Sequence, residues 1–171
     1  MEPNPGHYAI AKLEKLLPLP LKLITQNVDG LHARAGSSDI IELHGNILKF
    51  ICFDRRHPAA DVACDLKEPP RCHCGSLIRP AVVWFGEALP PGDLERASRI
   101  MMECDVAVVV GTSGLVQPAA SLPYLASRQG AKVIEINPDA TPLEGIVHIF
   151  LCGASGKVLP ELVSLIEERR R

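Results

Sequence analysis

Short apolar runs that break off into polar or glycine clusters set the frame for this chain. Leu21 to Ile24 leads into Thr25-Gln26-Asn27-Val28-Asp29-Gly30, and Ile40 to Leu43 leads into His44-Gly45. Val106 to Val110 leads into Gly111-Thr112-Ser113-Gly114, and Val133 to Ile136 into Asn137-Pro138-Asp139. Such short, mostly apolar runs suit buried strands, as in a parallel sheet. In open α/β sheets the carboxyl ends of the strands form the ligand crevice, so side chains gathered there are placed to act on a bound molecule. Several such ends together suit one extended polar ligand, such as a dinucleotide. Each junction by itself reads more readily as ordinary turn chemistry than as a site, and His44 alone could equally be a satisfied core histidine.

The segments between the runs read as helices. Ala9, Ile10, Leu13, Leu16 and Leu17 recur at helical spacing until Pro18 and Pro20 end the pattern. Asp29 to Ala35 predicts a short helix closed by Gly36, and further helices are expected over Asp93 to Cys104, Pro118 to Gln129 and Leu159 to Arg170. Strands are expected over Leu48 to Phe53, Val82 to Phe85 and Ile146 to Leu151 as well. This alternation predicts an α/β fold: a doubly wound, mostly parallel, Rossmann-like sheet made of residues 1–51 and 81–171. Residues 52–80 break the rhythm with scattered Pro, Cys, Arg and His, and predict a small inserted cysteine-containing module.

With 171 residues, 47% of them hydrophobic and 22% charged, the chain has an ordinary composition for one folded core. A net charge of −2 gives no electrostatic reason to expect nucleic acid, and no apolar run approaches the roughly 20 residues that span a bilayer. Met1-Glu2-Pro3-Asn4 does not begin a signal peptide, so the expected location is cytoplasmic. The six cysteines are then expected to be reduced, either ligating metal or simply buried. Cys104 and Cys152 lie in apolar contexts and read as buried thiols.

Taken together and in order, TQNVDG, ELHG, RPAVVWFGE, GTSGLVQPAA and EIN resemble the sirtuins, NAD-dependent protein-lysine deacylases, from about Pro3 to Pro160. VVWFGE is most similar to the short bacterial and desuccinylase-type class. The resemblance implies that the acyl group of a modified lysine on a protein is moved to the ribose of NAD with release of nicotinamide. It implies that His44 is the base, a role suited to a neutral imidazole at physiological pH. Gln26, Asn27 and Asp29 match the positions that hold the nicotinamide ribose and carboxamide. Gly111, Thr112 and Ser113 match ribose and phosphate contacts, and Asn137 and Ser155 match contacts to the adenosine end.

The same resemblance assigns Val83, Phe85, Gly86 and Glu87 to an edge that pairs with the substrate peptide as an added strand. It also implies a structural zinc ion held by two cysteine pairs. Here the first pair is incomplete: Cys52 is present, but Arg55 stands at its partner's position. The second is contracted to Cys72-His73-Cys74, and Cys64 could complete a four-thiolate set. The expected ligands are Cys52, Cys72 and Cys74, the alternative being a metal-free module.

The family's opening strand and its GAGxS-type loop, which cradles the pyrophosphate, have no match in these residues. The resemblance therefore implies an N-terminally truncated member, expected to bind NAD weakly or not at all and to have little deacylase activity. The alternative reading is an inactive sirtuin-like fragment or a protein-binding module.

Overall fold

The computed structural model describes residues 1–18, 20–59 and 68–170. Asn4 starts the first helix because its side-chain oxygen accepts from the backbone N–H of Gly6 at 2.9 Å, while Pro5 takes the first helical position. This helix, α1 (Pro5–Leu16), stops at Leu17, ahead of Pro18, as the sequence predicts. It packs on the C-terminal helix α5 (Ser155–Arg169), where Ala9, Leu13, Leu159 and Val163 bury a common apolar face. α5 begins four residues earlier than the periodicity indicates and runs through Pro160. Pro160 is the sixth residue of this helix, so the bond its N–H would have made to the Gly156 carbonyl is missing there.

Strand β1 (Leu23–Thr25) pairs in parallel with β2 (Ile40–Glu42), and the short helix α2 (Leu31–Arg34) joins them. Strands β5 (Val106–Val110), β6 (Lys132–Asn137) and β7 (Ile149–Cys152) form a second parallel sheet in the order 5-6-7. In sequence α3 (Pro91–Glu103) precedes β5 and α4 (Leu122–Arg128) lies between β5 and β6, and the two helices pack together. The parallel, doubly wound character is as expected. The sheet is nonetheless in two parts: among the described residues β1 pairs only with β2 and β5 only with β6.

Strand β3 (Gly45–Cys52) and strand β4 (Ile78–Val82) form an antiparallel pair that brackets the cysteine-containing stretch. The strand expected over Val82 to Phe85 thus lies earlier, and Val83 and Phe85 sit beyond its end. Gly45 is required where β3 meets β4. Its φ is +80°, and a Cβ there would lie 1.9 Å from the carbonyl oxygen of Ala81. Among the described residues, no helix is long and apolar enough to cross a membrane.

Candidate functional site

Parallel registry brings the polar clusters to one level. Thr25 stands opposite Glu42, and the carbonyl of Thr25 accepts from the backbone N–H of Leu43 at 3.0 Å. His44 therefore arrives beside Gln26, and its Nδ1 lies 3.1 Å from the Gln26 carbonyl oxygen. A carbonyl can only accept, so this contact places the proton on Nδ1 and leaves the Nε2 lone pair open. In the second sheet Val110 stands opposite Ile136, and the N–H of Gly111 donates to the Ile136 carbonyl at 3.0 Å. Asn137 then reaches back from β6, and its Nδ2 donates to the Thr112 carbonyl at 2.8 Å. Asn137 thereby holds the glycine loop that follows β5.

A cavity of about 470 Å³ lies between the two parallel sheets. Thr25, Gln26 and Asn27 line it from one side, and Gly111, Thr112 and Ser113 from the other. Gly111 has a φ of +60° with no atom within 4 Å of the place a Cβ would occupy, so the backbone there is open to a close ligand. The N-terminus of α5 also reaches this cavity through Ser155, and its N-cap residue Ala154 offers no side-chain acceptor to the first turn. Bare N–H groups at a helix start favour anionic ligands.

Asp29, His44 and Asn137 do not line the cavity itself. Asp29 is partly engaged in local structure, its Oδ1 accepting from the N–H of Leu31 at 3.0 Å ahead of α2. His32, which lines the cavity, was not singled out by the sequence. Its buried Nδ1 has no partner among the described residues, and burial first, then the neighbouring His7, hold its pKa below the ordinary value.

Beyond β4, the N–H of Val83 donates to the His44 carbonyl at 2.9 Å, which ties the VVWFGE segment to the histidine. Phe85 is fully exposed and Trp84 about half exposed, while Gly86 takes a φ of +86°. Glu87 turns inward. Its carboxylate accepts from the N–H of Trp84 at 3.1 Å and from the guanidinium groups of Arg79 and Arg56, each at 2.9 Å. The Trp84 N–H first, then Arg79 and Arg56, hold the Glu87 carboxyl below its usual range.

The cysteine module gathers Cys52, Cys72, Cys74 and His57, with one ligand atom of each lying within 4.8 Å of all the others. Cys52 Sγ is 3.5 Å from Cys74 Sγ, and Cys72 Sγ is 3.7 Å from His57 Nε2. Ligands at the usual zinc distances stand about 3.5–3.8 Å apart at the corners of a tetrahedron, so donor type and spacing both fit that ion. The backbone N–H of Arg55 lowers the Cys52 thiol pKa to about 7, which favours the thiolate that ligation needs. The three expected cysteines thus come together. The fourth member is His57 and not position 55, because the turn after Cys52 closes with the N–H of Arg56 bonded to the Cys52 carbonyl, which brings residue 57 back over the thiols. Cys64, the other expected completion, lies outside the described residues. Cys104 is half-buried, its thiol pushed up by burial, but Cys152 is exposed, unlike the buried thiol expected there.

The Sir2 family model matches residues 1–118. An NAD-dependent protein deacylase of Aquifex aeolicus is 46% identical over 170 residues, which cover 98% of this chain and 71% of that protein. NAD-dependent protein deacylase 1 of Archaeoglobus fulgidus is 49% identical over 164 residues, covering 95% of this chain and 66% of that one. Among solved structures, a Sir2 homologue in complex with NAD has a TM-score of 0.92 at 47% identity, with 98% of this chain and 66% of that chain matched. A Sir2 structure bound to a myristoylated histone peptide has a TM-score of 0.86 at 43% identity, covering 99% and 74%. The chain therefore spans about two thirds to three quarters of the length of these relatives.

Proposed function

The chain belongs to the Sir2 family, and from that premise we propose that it is an NAD-dependent protein-lysine deacylase. The carrying observation is the contact from His44 Nδ1 to the Gln26 carbonyl. It fixes the imidazole tautomer and leaves Nε2 free to take a proton, which is what the base of this reaction must do. NAD, when bound, supplies the ribose carbon that the acyl carbonyl oxygen attacks as nicotinamide leaves.

Gln26 and Asn27 face the cavity and orient the nicotinamide ribose, with Asp29 accepting from the carboxamide. Gly111 lets the cofactor approach the backbone, and Thr112 and Ser113 offer hydroxyls and N–H groups. Asn137 and Ser155 serve the adenosine end: Asn137 by fixing the Thr112 loop, Ser155 by placing the open N-terminus of α5 at the cavity. Among the described residues the donors and the open backbone at Gly111 fit a dinucleotide better than they fit a purely protein-binding role.

The substrate is an acylated lysine side chain of a protein, held along Val83 to Glu87. The exposed backbone and side chain of Phe85, next to the positive-φ Gly86, leave this segment open to an added strand. Residues 52–80 form the small module, with zinc held by Cys52, Cys72, Cys74 and His57, and residues 1–51 and 81–171 form the NAD-binding part. The working location is cytoplasmic.

The test is nicotinamide release from NAD in the presence of an acyl-lysine peptide. His44→Ala is expected to lower the rate by about 10²–10⁴-fold with circular dichroism and ADP-ribose binding unchanged. Activity within a few-fold of the parent removes His44 from the mechanism. A parent that releases nicotinamide no faster with peptide than without it overturns the deacylase reading.

A further inference from the structure

We propose that Arg79 is a positioning residue for the peptide segment: acting through Glu87, it fixes the backbone of Val83 to Glu87 in the form that accepts an extended acyl-peptide. The inference rests on the deacylase reading and adds a residue to it.

Arg79 is 5% exposed and carries a full charge, an arrangement that is unfavourable unless its charge is paired and hydrogen-bonded. All of its bonded partners lie in the segment that follows it. Nη1 donates to the Val82 carbonyl at 2.8 Å, and Nη2 donates to both Glu87 oxygens at 2.9 and 3.1 Å, while the buried Nε has no partner among the described residues. The guanidinium carbon also lies 4.4 Å from the centre of the Trp84 ring. Glu87 then closes the loop, accepting from the Trp84 N–H and donating its own N–H to the Trp84 carbonyl at 2.9 Å. The polar backbone groups of Trp84 are thus consumed inside the loop. Those of Phe85 appear in no internal hydrogen bond among the described residues, and its side chain stands free in solvent. The brace turns one residue inward and presents the next outward.

A second set of contacts ties the brace to the cysteine module. Phe53 and Arg56 lie in the turn bracketed by Cys52 and His57. The Phe53 ring centre is 5.9 Å from that of Trp84 and 5.7 Å from the Arg79 guanidinium, and Arg56 shares the Glu87 carboxylate. Arg56 is the one non-glycine residue with positive φ among the described residues, at 54°. Backbone strain of that kind persists where surrounding contacts hold it. Arg56 is about half exposed, so its ion pair contributes little next to the buried Arg79 fork.

Trp84 is the only tryptophan in the chain, so its fluorescence reports on this brace directly. The experiment titrates a labelled acetyl-lysine peptide into the parent, Arg79→Lys, Glu87→Gln and Arg56→Ala proteins. Anisotropy reports peptide affinity, Trp84 emission reports the loop, and ADP-ribose titration and melting curves are run on each. Lysine keeps the charge but not the two-pronged fork. Arg79→Lys and Glu87→Gln are expected to weaken peptide binding about tenfold or more, with ADP-ribose affinity within about twofold of the parent. Arg56→Ala is expected to cost about two- to threefold. Equal peptide affinity in the parent and Arg79→Lys overturns the proposal while leaving the deacylase reading standing. Parallel loss of peptide and ADP-ribose binding with a lowered melting temperature also overturns it, because that marks a residue needed for folding alone. A parent that binds no peptide overturns the deacylase reading and this proposal with it.

Discussion

The strand-end cavity and the cysteine module sit on the two sides of His44 and are held by different forces. Around the cavity, position is set by backbone ladders over apolar packing: Leu43 and Ile136 are fully buried, and each lies within one residue of a polar site residue. Among the described residues of the module and of the segment up to Glu87, position is set by thiols, guanidinium groups and aromatic faces, and few of their apolar side chains are fully covered. The first kind of region tolerates removal of one polar group, since the strands still deliver the neighbours. The second depends on each of its polar partners, because nothing apolar replaces them.

Metal removal gives the largest expected separation of the two. A structural zinc ion contributes its binding free energy to folding, on the order of several kcal/mol or more. Cys52→Ser, or strong chelation of the parent, is expected to abolish stoichiometric zinc, quench or shift Trp84 emission and release a low-temperature unfolding step. Circular dichroism from α1, α5 and the parallel strands should persist through that step. Protein isolated without zinc, whose melting curve chelation leaves unchanged, would show that the four donors are a metal-free cluster.

Leu43→Ala strikes the other region. This side chain is fully buried in the cluster with Ile41, Leu89, Ala97 and Leu122, and its loss is expected to cost about 2–5 kcal/mol. The fall should appear in the whole unfolding transition by chemical denaturation, and zinc content should stay at the parent level. A loss confined to the module's transition would reverse the assignment of forces made above.

The same contrast governs what the sequence revealed. β5 was legible to the residue, because Val106 to Val110 is an unbroken apolar run stopped by glycine. The residues that line the cavity at Thr25 to Asn27 and Gly111 to Ser113 stand at such ends. The module was less legible. A histidine in a turn carries no periodic signal, and His57 joins the thiol cluster only because the backbone after Cys52 folds back. Arg79 sits inside a strand, where sequence alone gives no hint that a cation is buried. The division of the sheet into two parts was likewise hidden, since each run reads as a strand whatever stands beside it. The later start of α2, at Leu31, comes from a turn whose left-handed Gly30 sets the boundary.

Asn137→Ala offers a smaller effect on the cavity side. It removes the bond to the Thr112 carbonyl, and a neutral hydrogen bond of this kind contributes about 0.5–1.5 kcal/mol. ADP-ribose affinity should fall by about three- to tenfold while peptide affinity and zinc content stay unchanged. A fall in peptide affinity of the same size would mean that the Thr112 loop and the VVWFGE segment are coupled, and the two regions would no longer count as separately held.

The smallest effect expected is an acid step in the brace. A carboxyl held below its unfolded value stabilises the folded form above that value, and the stabilisation fades as pH falls through the folded pKa. Glu87 is such a group, with an unfolded value of 4.5. Glu14, lowered chiefly by Ser38, and Asp39, lowered chiefly by Lys22, titrate in the same acid window, so a melting temperature would mix all three. Trp84 emission separates them, because only Glu87 accepts from its backbone N–H and shares Arg79 with its ring. Emission is expected to be flat from neutral pH down to about 4.5 and to shift only below it. In Glu87→Gln, which keeps the shape but cannot ionise, that step should be absent. An acid step of equal size in Glu87→Gln would place the titrating group elsewhere and remove the carboxylate from the brace.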